Sequence, residues 1–169
     1  MKLSKAHFYK DTEENFQSTY SFFADESIQI SELTDHVIKI SKSKGFEEKQ
    51  THIITKDSDW AFLSSENENL DLFGSKKIIE IKLLGIGPGN KGSKAIKDYC
   101  LSPDQSKLLI VHAERLDKKQ QTSAWAKALE SSGVLIVEPP INKNSMPSCI
   151  KGKSQDLNIN ITEEAIHLL

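Results

Sequence analysis

The chain has 169 residues, 24 acidic and 22 basic side chains, a net charge of −2 and a hydrophobic fraction of 37%. That length suits one domain, or one domain and a piece of a second, with enough apolar residues for a core. The charge balance excludes a global basic field of the kind that holds nucleic acid, and no run approaches the roughly 20 apolar residues of a membrane span.

Strand-like and helix-like segments alternate along the chain. Met1 to His7 lacks the apolar stretch of a signal peptide. Tyr20-Ser21-Phe22-Phe23-Ala24 is a short apolar run that predicts a first buried strand. Asp25 or Ser27 is placed to cap a helix in which Ile30, Leu33, Val37 and Ile40 recur at helical spacing. Lysines in its last turn and Gly45 just beyond predict its end near Lys44. His52 to Thr55 predicts a second strand, and Asp57-Ser58-Asp59 a cap for a short helix through Trp60, Phe62 and Leu63.

Asp71-Leu72-Phe73-Gly74-Ser75-Lys76-Lys77 follows a polar, acidic segment. Two adjacent large apolar side chains fit neither an alternating strand nor one helix face. They suit an element's end, either capping the core beneath the next strand or projecting outward as a docking patch. Spacing alone favours the buried reading.

Lys77 to Leu84 predicts a third strand, followed by the loop Gly85-Ile86-Gly87-Pro88-Gly89-Asn90 and a helix through Ala95, Ile96 and Tyr99. Lys107 to His112 is the clearest buried strand. Asp117 to Ser123 leads into a helix carrying Trp125, Ala128 and Leu129, closed at Gly133, and Val134 to Val137 supplies a fifth strand. Pro139-Pro140 breaks the pattern and marks the expected domain boundary. Beyond it, Ser145 to Lys151 and Thr162 to Leu169 predict two helices. The alternation implies an α/β domain with a parallel sheet and helices on both faces.

In such a sheet, ligands favour the crevice at the carboxyl ends of the strands. The first strand-to-helix turn, Ala24-Asp25-Glu26-Ser27, has neither the glycines nor the lysine of a phosphate-binding loop. It sets two carboxylates where phosphates would sit, so it predicts no nucleotide binding. The Gly85–Asn90 loop lacks GxGxxG spacing, and Pro88 removes an amide donor, so it reads as a connection.

Lys91, Lys94 and Lys97 share one helical face, where the ordinary reading is a solvated stripe and the functional one a contact with DNA phosphates. The single arginine, Arg115, reads as a solvated residue after a strand and not as a phosphoryl-transfer finger. The five histidines form no metal motif, and no GxSxG elbow is present. His112 has the best position for chemistry but no partner nearby in sequence; Trp60 and Trp125 read as core. No catalytic residue, metal ligand or cofactor site is expected. Cys100 and Cys149 lie far apart and read as reduced thiols of a cytoplasmic protein.

The order of these motifs resembles the N-terminal part of the delta subunit of the bacterial DNA polymerase III clamp loader. The resemblance is carried by Tyr20 to Glu26 before a helix ending Lys44-Gly45-Phe46, by Asp59-Trp60, and by Leu72-Phe73-Gly74-Ser75-Lys76-Lys77. It continues through the Lys107 to Val111 strand, Leu116-Asp117-Lys118-Lys119 and Ser123-Ala124-Trp125, and covers the chain from about Phe8 onward. The family often has Gly-Asp-Glu-Pro or similar at the first turn, where this chain has Ala24-Asp25-Glu26-Ser27.

The resemblance implies an AAA+-like (RecA/P-loop-type) five-stranded parallel sheet over residues 1–139, without a functional nucleotide site. Residues 140–169 would begin a helical lid domain, which longer family members complete and follow with a collar domain. It implies a non-catalytic subunit of a DNA-directed DNA polymerase (nucleotidyltransferase) holoenzyme. Leu72 and Phe73 would form a wedge that docks on the sliding clamp (beta subunit) and helps open its ring, with Leu70 a weaker neighbour. The other partners would be the delta prime and gamma/tau loader subunits, with DNA met only indirectly. The alternatives are a degenerate P-loop-fold nucleotide-binding module and a DNA-binding module.

Overall fold

The computed structural model describes residues 1–68, 76–156 and 158–167. Met1–Glu138 and Pro139–Leu169 form separate compact units. The first carries a five-stranded sheet in the order β2-β3-β4-β1-β5. All four pairings are parallel, as the alternation predicts.

The central strands β1 (Thr19–Ala24) and β4 (Lys107–Glu114) are buried on both faces. That is why they read as near-continuous apolar runs. β3 (Lys76–Leu84) joins them on one side and β5 (Val134–Val137) on the other. Successive side chains point to opposite faces, so each strand feeds two cores. On one face, Phe23, Ile79, Ile81, Leu83, Leu109, Val111 and Ala113 meet Leu63 of α3 (Ala61–Glu68), Ile96 and Tyr99 of α4 (Gly89–Leu101), and Trp125 and Leu129 of α6 (Ala124–Ser132). On the other, Tyr20, Phe22, Ile78, Leu108 and Ile110 meet Phe8 of α1 (Lys5–Glu14) and Ile30, Leu33 and Val37 of α2 (Ser27–Ser43).

The helix termini follow local chemistry. α2 stops at Lys44, and Gly45 then takes a left-handed φ of 88° that a side chain would resist. The lead-in to α6 contains a short helix, α5 (Lys118–Gln121), fixed by a reciprocal cap between Asp117 and Gln120. Gly92 lets α4 pack on the Trp60 indole, whose carbons lie 2.3 Å from where a Cβ would stand. Trp60 and Trp125 are both buried, as expected.

Several expectations are corrected. α1 has no counterpart in the sequence reading, because its buried side is only Phe8 and Thr12 and carries little periodic signal. β2 runs over Phe46–Ile54, well beyond the expected start at His52. Its Glu47, Glu48 and Lys49 are exposed on an edge strand, so apolar alternation is absent there. Trp60 precedes α3 instead of lying within it. The residue before α2 is Glu26, without a side-chain cap, where Asp25 or Ser27 was expected.

In the second unit, α7 (Met146–Asp156) extends past the expected Lys151, and α8 spans Glu163–His167. Among the described residues no helix is long and apolar enough to cross a membrane.

Candidate functional site

Strand order places β1 between β4 and β5, so the chain reverses direction across the sheet at the carboxyl end of β1. That is where an α/β sheet opens a crevice. Here the backbone N–H of Arg115 donates to the Ala24 carbonyl at 3.1 Å and stitches the ends of β1 and β4 together. The resulting cleft is lined by Asp25, Glu26, Ser27, Ile28, Glu114 and Arg115. Three carboxylates thus face one guanidinium, and Arg115 is exposed, as expected of a solvated residue. A triphosphate brought here would meet net negative charge and no glycine cradle. The residues present do not fit a nucleotide.

The Gly85–Asn90 loop does not repair that lack. Gly85 and Gly89 take φ values of 69° and 64°, turning the chain into α4, and Pro88 occupies the position before that helix. Lys91, Lys94 and Lys97 are exposed on α4, away from the cleft lining. Cys100 is half-buried, and burial, partly offset by a hydrogen bond from Ser132, pushes its thiol up to about 11. Among the described residues no His, Cys, Asp and Glu group is arranged to hold a metal ion.

Leu70, Leu72 and Phe73 lie outside the described residues. Their described flanks are Glu68, which ends α3, and Lys76, which begins β3 at the amino end of the strands, opposite the Asp25–Glu26 turn at their carboxyl end. Lys76 donates to the Lys44 carbonyl at 2.8 Å and stands 5.4 Å over the Phe46 ring. The neighbouring Lys44 ammonium lies 5.2 Å over the Phe16 ring. These contacts anchor the start of β3 on the α2–β2 connection.

His112 acquires partners that lie far away in sequence. On the α2 face of the sheet, Glu80 is 2% exposed and His112 6%. Glu80 accepts from Thr51 at 2.6 Å and pairs with Lys49 at 2.9 Å, with Lys82 and the His112 Nε2 each 3.6 Å away. The Thr34 hydroxyl donates to the Ile30 carbonyl, so at 2.8 Å from His112 it accepts the Nε2 proton. Parallel register explains the convergence: Thr51 lies beside Glu80, and Lys82 beside His112. No local spacing signals such a cluster, since its members come from α2, β2, β3 and β4.

Burial alone would raise the Glu80 pKa, but the hydrogen bonds from Thr51 and Lys49 and the charges of His112 and Lys49 hold it below the ordinary value. Burial pushes His112 down to about 4; Glu80 opposes this and Lys82 and Lys49 reinforce it. At neutral pH the histidine is uncharged.

Comparison with known proteins places this geometry. The family model described as DNA polymerase III, delta subunit, matches residues 20–138. The DNA polymerase III subunit delta of Escherichia coli (strain K12) is 25% identical over 160 residues, which are 92% of this chain and 46% of that protein. The subunit delta of Haemophilus influenzae (strain Rd) is 24% identical over 156 residues, 89% and 44% of the two chains. The chain therefore spans about half the length of the curated relatives it matches.

Among solved structures, the Bacillus subtilis DNA clamp loader delta protein superposes with a TM-score of 0.64 at 16% identity, over 96% of this chain and 51% of that one. AMPPCP-bound DnaA from Aquifex aeolicus gives 0.52 at 13% identity, over 95% and 53%. The expected α/β fold is thus that of clamp loader delta and of DnaA. A fold shared with a nucleotide-bound protein leaves ligand binding to the chemistry of the first turn.

Proposed function

The chain belongs to the DNA polymerase III delta subunit family, and from that premise we propose that it is a clamp-binding domain that works without nucleotide. The observation that carries this reading is the family match over residues 20–138, which spans β1 to the end of the sheet unit. Its place is therefore in DNA replication, within the polymerase III holoenzyme. No catalysis is assigned to it.

In the proposed mechanism Leu72 and Phe73 form a wedge that docks on the sliding clamp, with Leu70 beside them. Burying a Leu and a Phe gains roughly 3–6 kcal/mol gross, before the cost of association. A ligand opens a closed ring only by binding the open state better than the closed one, and a rigid apolar tip supplies that difference. The sheet unit serves as its handle. The acidic first turn supports a domain that takes ATP dependence from neighbours, for which the delta prime and gamma/tau subunits are the proposed source. Residues 140–169 would begin the lid domain, and the working compartment would be the cytoplasm.

Exposure of Lys91, Lys94 and Lys97 along α4 supports a second, weaker reading as a DNA contact. It requires steeply salt-dependent binding to DNA, which the net charge of −2 disfavours. The leading reading is tested with purified sliding clamp and the Leu72→Ala/Phe73→Ala double variant. Binding by the parent chain, and its loss in a variant with unchanged circular dichroism and Tm, is expected. Retained binding would remove the wedge from the account.

A further inference from the structure

The α2 face of the sheet carries a second feature, independent of clamp binding. Toward the carboxyl ends of β3 and β4 its apolar contacts give way to a polar groove. Ser31, Thr34 and Asp35 line it from α2, Lys49 from β2, Glu80, Lys82 and Leu84 from β3, and His112 and Glu114 from β4. A continuous chain of polar contacts crosses it, from the Ile30 carbonyl through Thr34, His112 and Glu80 to Thr51 and Lys49. This chain, the apolar residues Ile30 and Leu33 and the Lys5–Glu32 ion pair to α1 are among the contacts that seat the first half of α2, the half that follows the Asp25–Glu26 turn.

We propose that Glu80 and His112 form a proton-controlled latch, which seats α2 on the sheet at neutral pH without any ligand and releases its first half on acidification.

Burial of the histidine, reinforced by the lysines beside it, gives the physical reason. With His112 neutral, the single buried carboxylate of Glu80 already faces two ammonium groups, Lys49 at 2.9 Å and Lys82 at 3.6 Å. A proton on His112 adds a third positive charge to the same groove, and the remaining carboxylates, Asp35 and Glu114, lie among its lining residues. The ring is 6% exposed, so water cannot solvate the added charge unless α2 lifts. Opening restores an ordinary imidazole, and acid therefore favours the open form. Among the described residues the apolar core of the opposite face includes no carboxylate or histidine, and it stays packed on acidification.

Lowering of the histidine to about 4 sets the window. Between an ordinary value of about 6.5 and that limit, one proton is taken up per opening, so opening of α2 rises about tenfold per pH unit.

The test is amide hydrogen exchange of the chain between pH 7.5 and 5, corrected for intrinsic rates. Amides of Leu33 to Val37 should lose protection about tenfold per unit below pH 6.5, while those of α4 and α6 stay level. In His112→Gln, whose side-chain amide can still donate to Thr34 but does not titrate, the slope should vanish. In parallel, the His112 Hε1 shift of the unsubstituted chain is followed by NMR, which keeps the test decisive if the variant fails to fold. Level protection of α2 throughout, an unchanged slope in His112→Gln, or titration of His112 at or above 6.5 would each overturn the latch.

Discussion

Whereas the face covered by α3, α4 and α6 is apolar along the whole length of β3 and β4, from Ile79 and Leu109 through Ile81 and Val111 to Leu83 and Ala113, the α1–α2 face of these two strands is apolar only toward their amino ends. There Ile78 is followed by Glu80 and Lys82, and Leu108 and Ile110 by His112 and Glu114. The same strands therefore hold one set of helices by close packing and another partly by charge. Close packing fails through crowding or cavities, whatever the pH. A charge-balanced seat fails through protonation or the removal of one member.

Substitutions break the comparison at different points. The largest effect is expected on the packed face: Gly92→Ala would force a methyl against the Trp60 indole, with a loss of about 3 kcal/mol in urea unfolding at any pH. Acid comes next, and acts on the other face. His112 has a folded pKa of about 4, below the unfolded value of about 6.5, so the unfolded chain binds the proton first. Its contribution is complete above pH 6.5 and fades as pH falls toward 4, by up to about 3 kcal/mol, and His112→Gln should flatten that part of the stability profile.

Glu80→Gln keeps an acceptor for Thr51 but leaves Lys49 and Lys82 unbalanced, and should cost about 2 kcal/mol at pH 7.5. The smallest effect belongs to the half-exposed Lys5–Glu32 pair, which ties α1 to α2 at 2.9 Å. Lys5→Ala should lower stability by only about 0.5 kcal/mol, and less in high salt. If Gly92→Ala and Glu80→Gln showed the same pH dependence, the two faces would not differ as described.

The apolar packing of both faces was legible in the sequence, and the charged cluster was not. Runs such as Lys107 to His112 and Val134 to Val137 announce buried strands because both of their faces are covered, and the helical spacing of Ile30, Leu33 and Val37 announces α2. β2 was read only at its apolar end, because its open edge tolerates Glu47, Glu48 and Lys49. His112 stood out by position, yet Glu80 lies 32 residues away and becomes its neighbour only through strand register. The acidic first turn was readable directly, since a phosphate cradle needs particular residues in consecutive positions. The Leu72–Phe73 wedge rests on the resemblance of motif order, its residues lying outside the described part of the chain.

Function is proposed for the packed handle and its tip, so the decisive measurement is direct binding of the purified chain to the sliding clamp by surface plasmon resonance, with and without magnesium-ATP. The account predicts saturable binding that ATP leaves unchanged. Absence of binding, or binding that appears only with ATP, would contradict it.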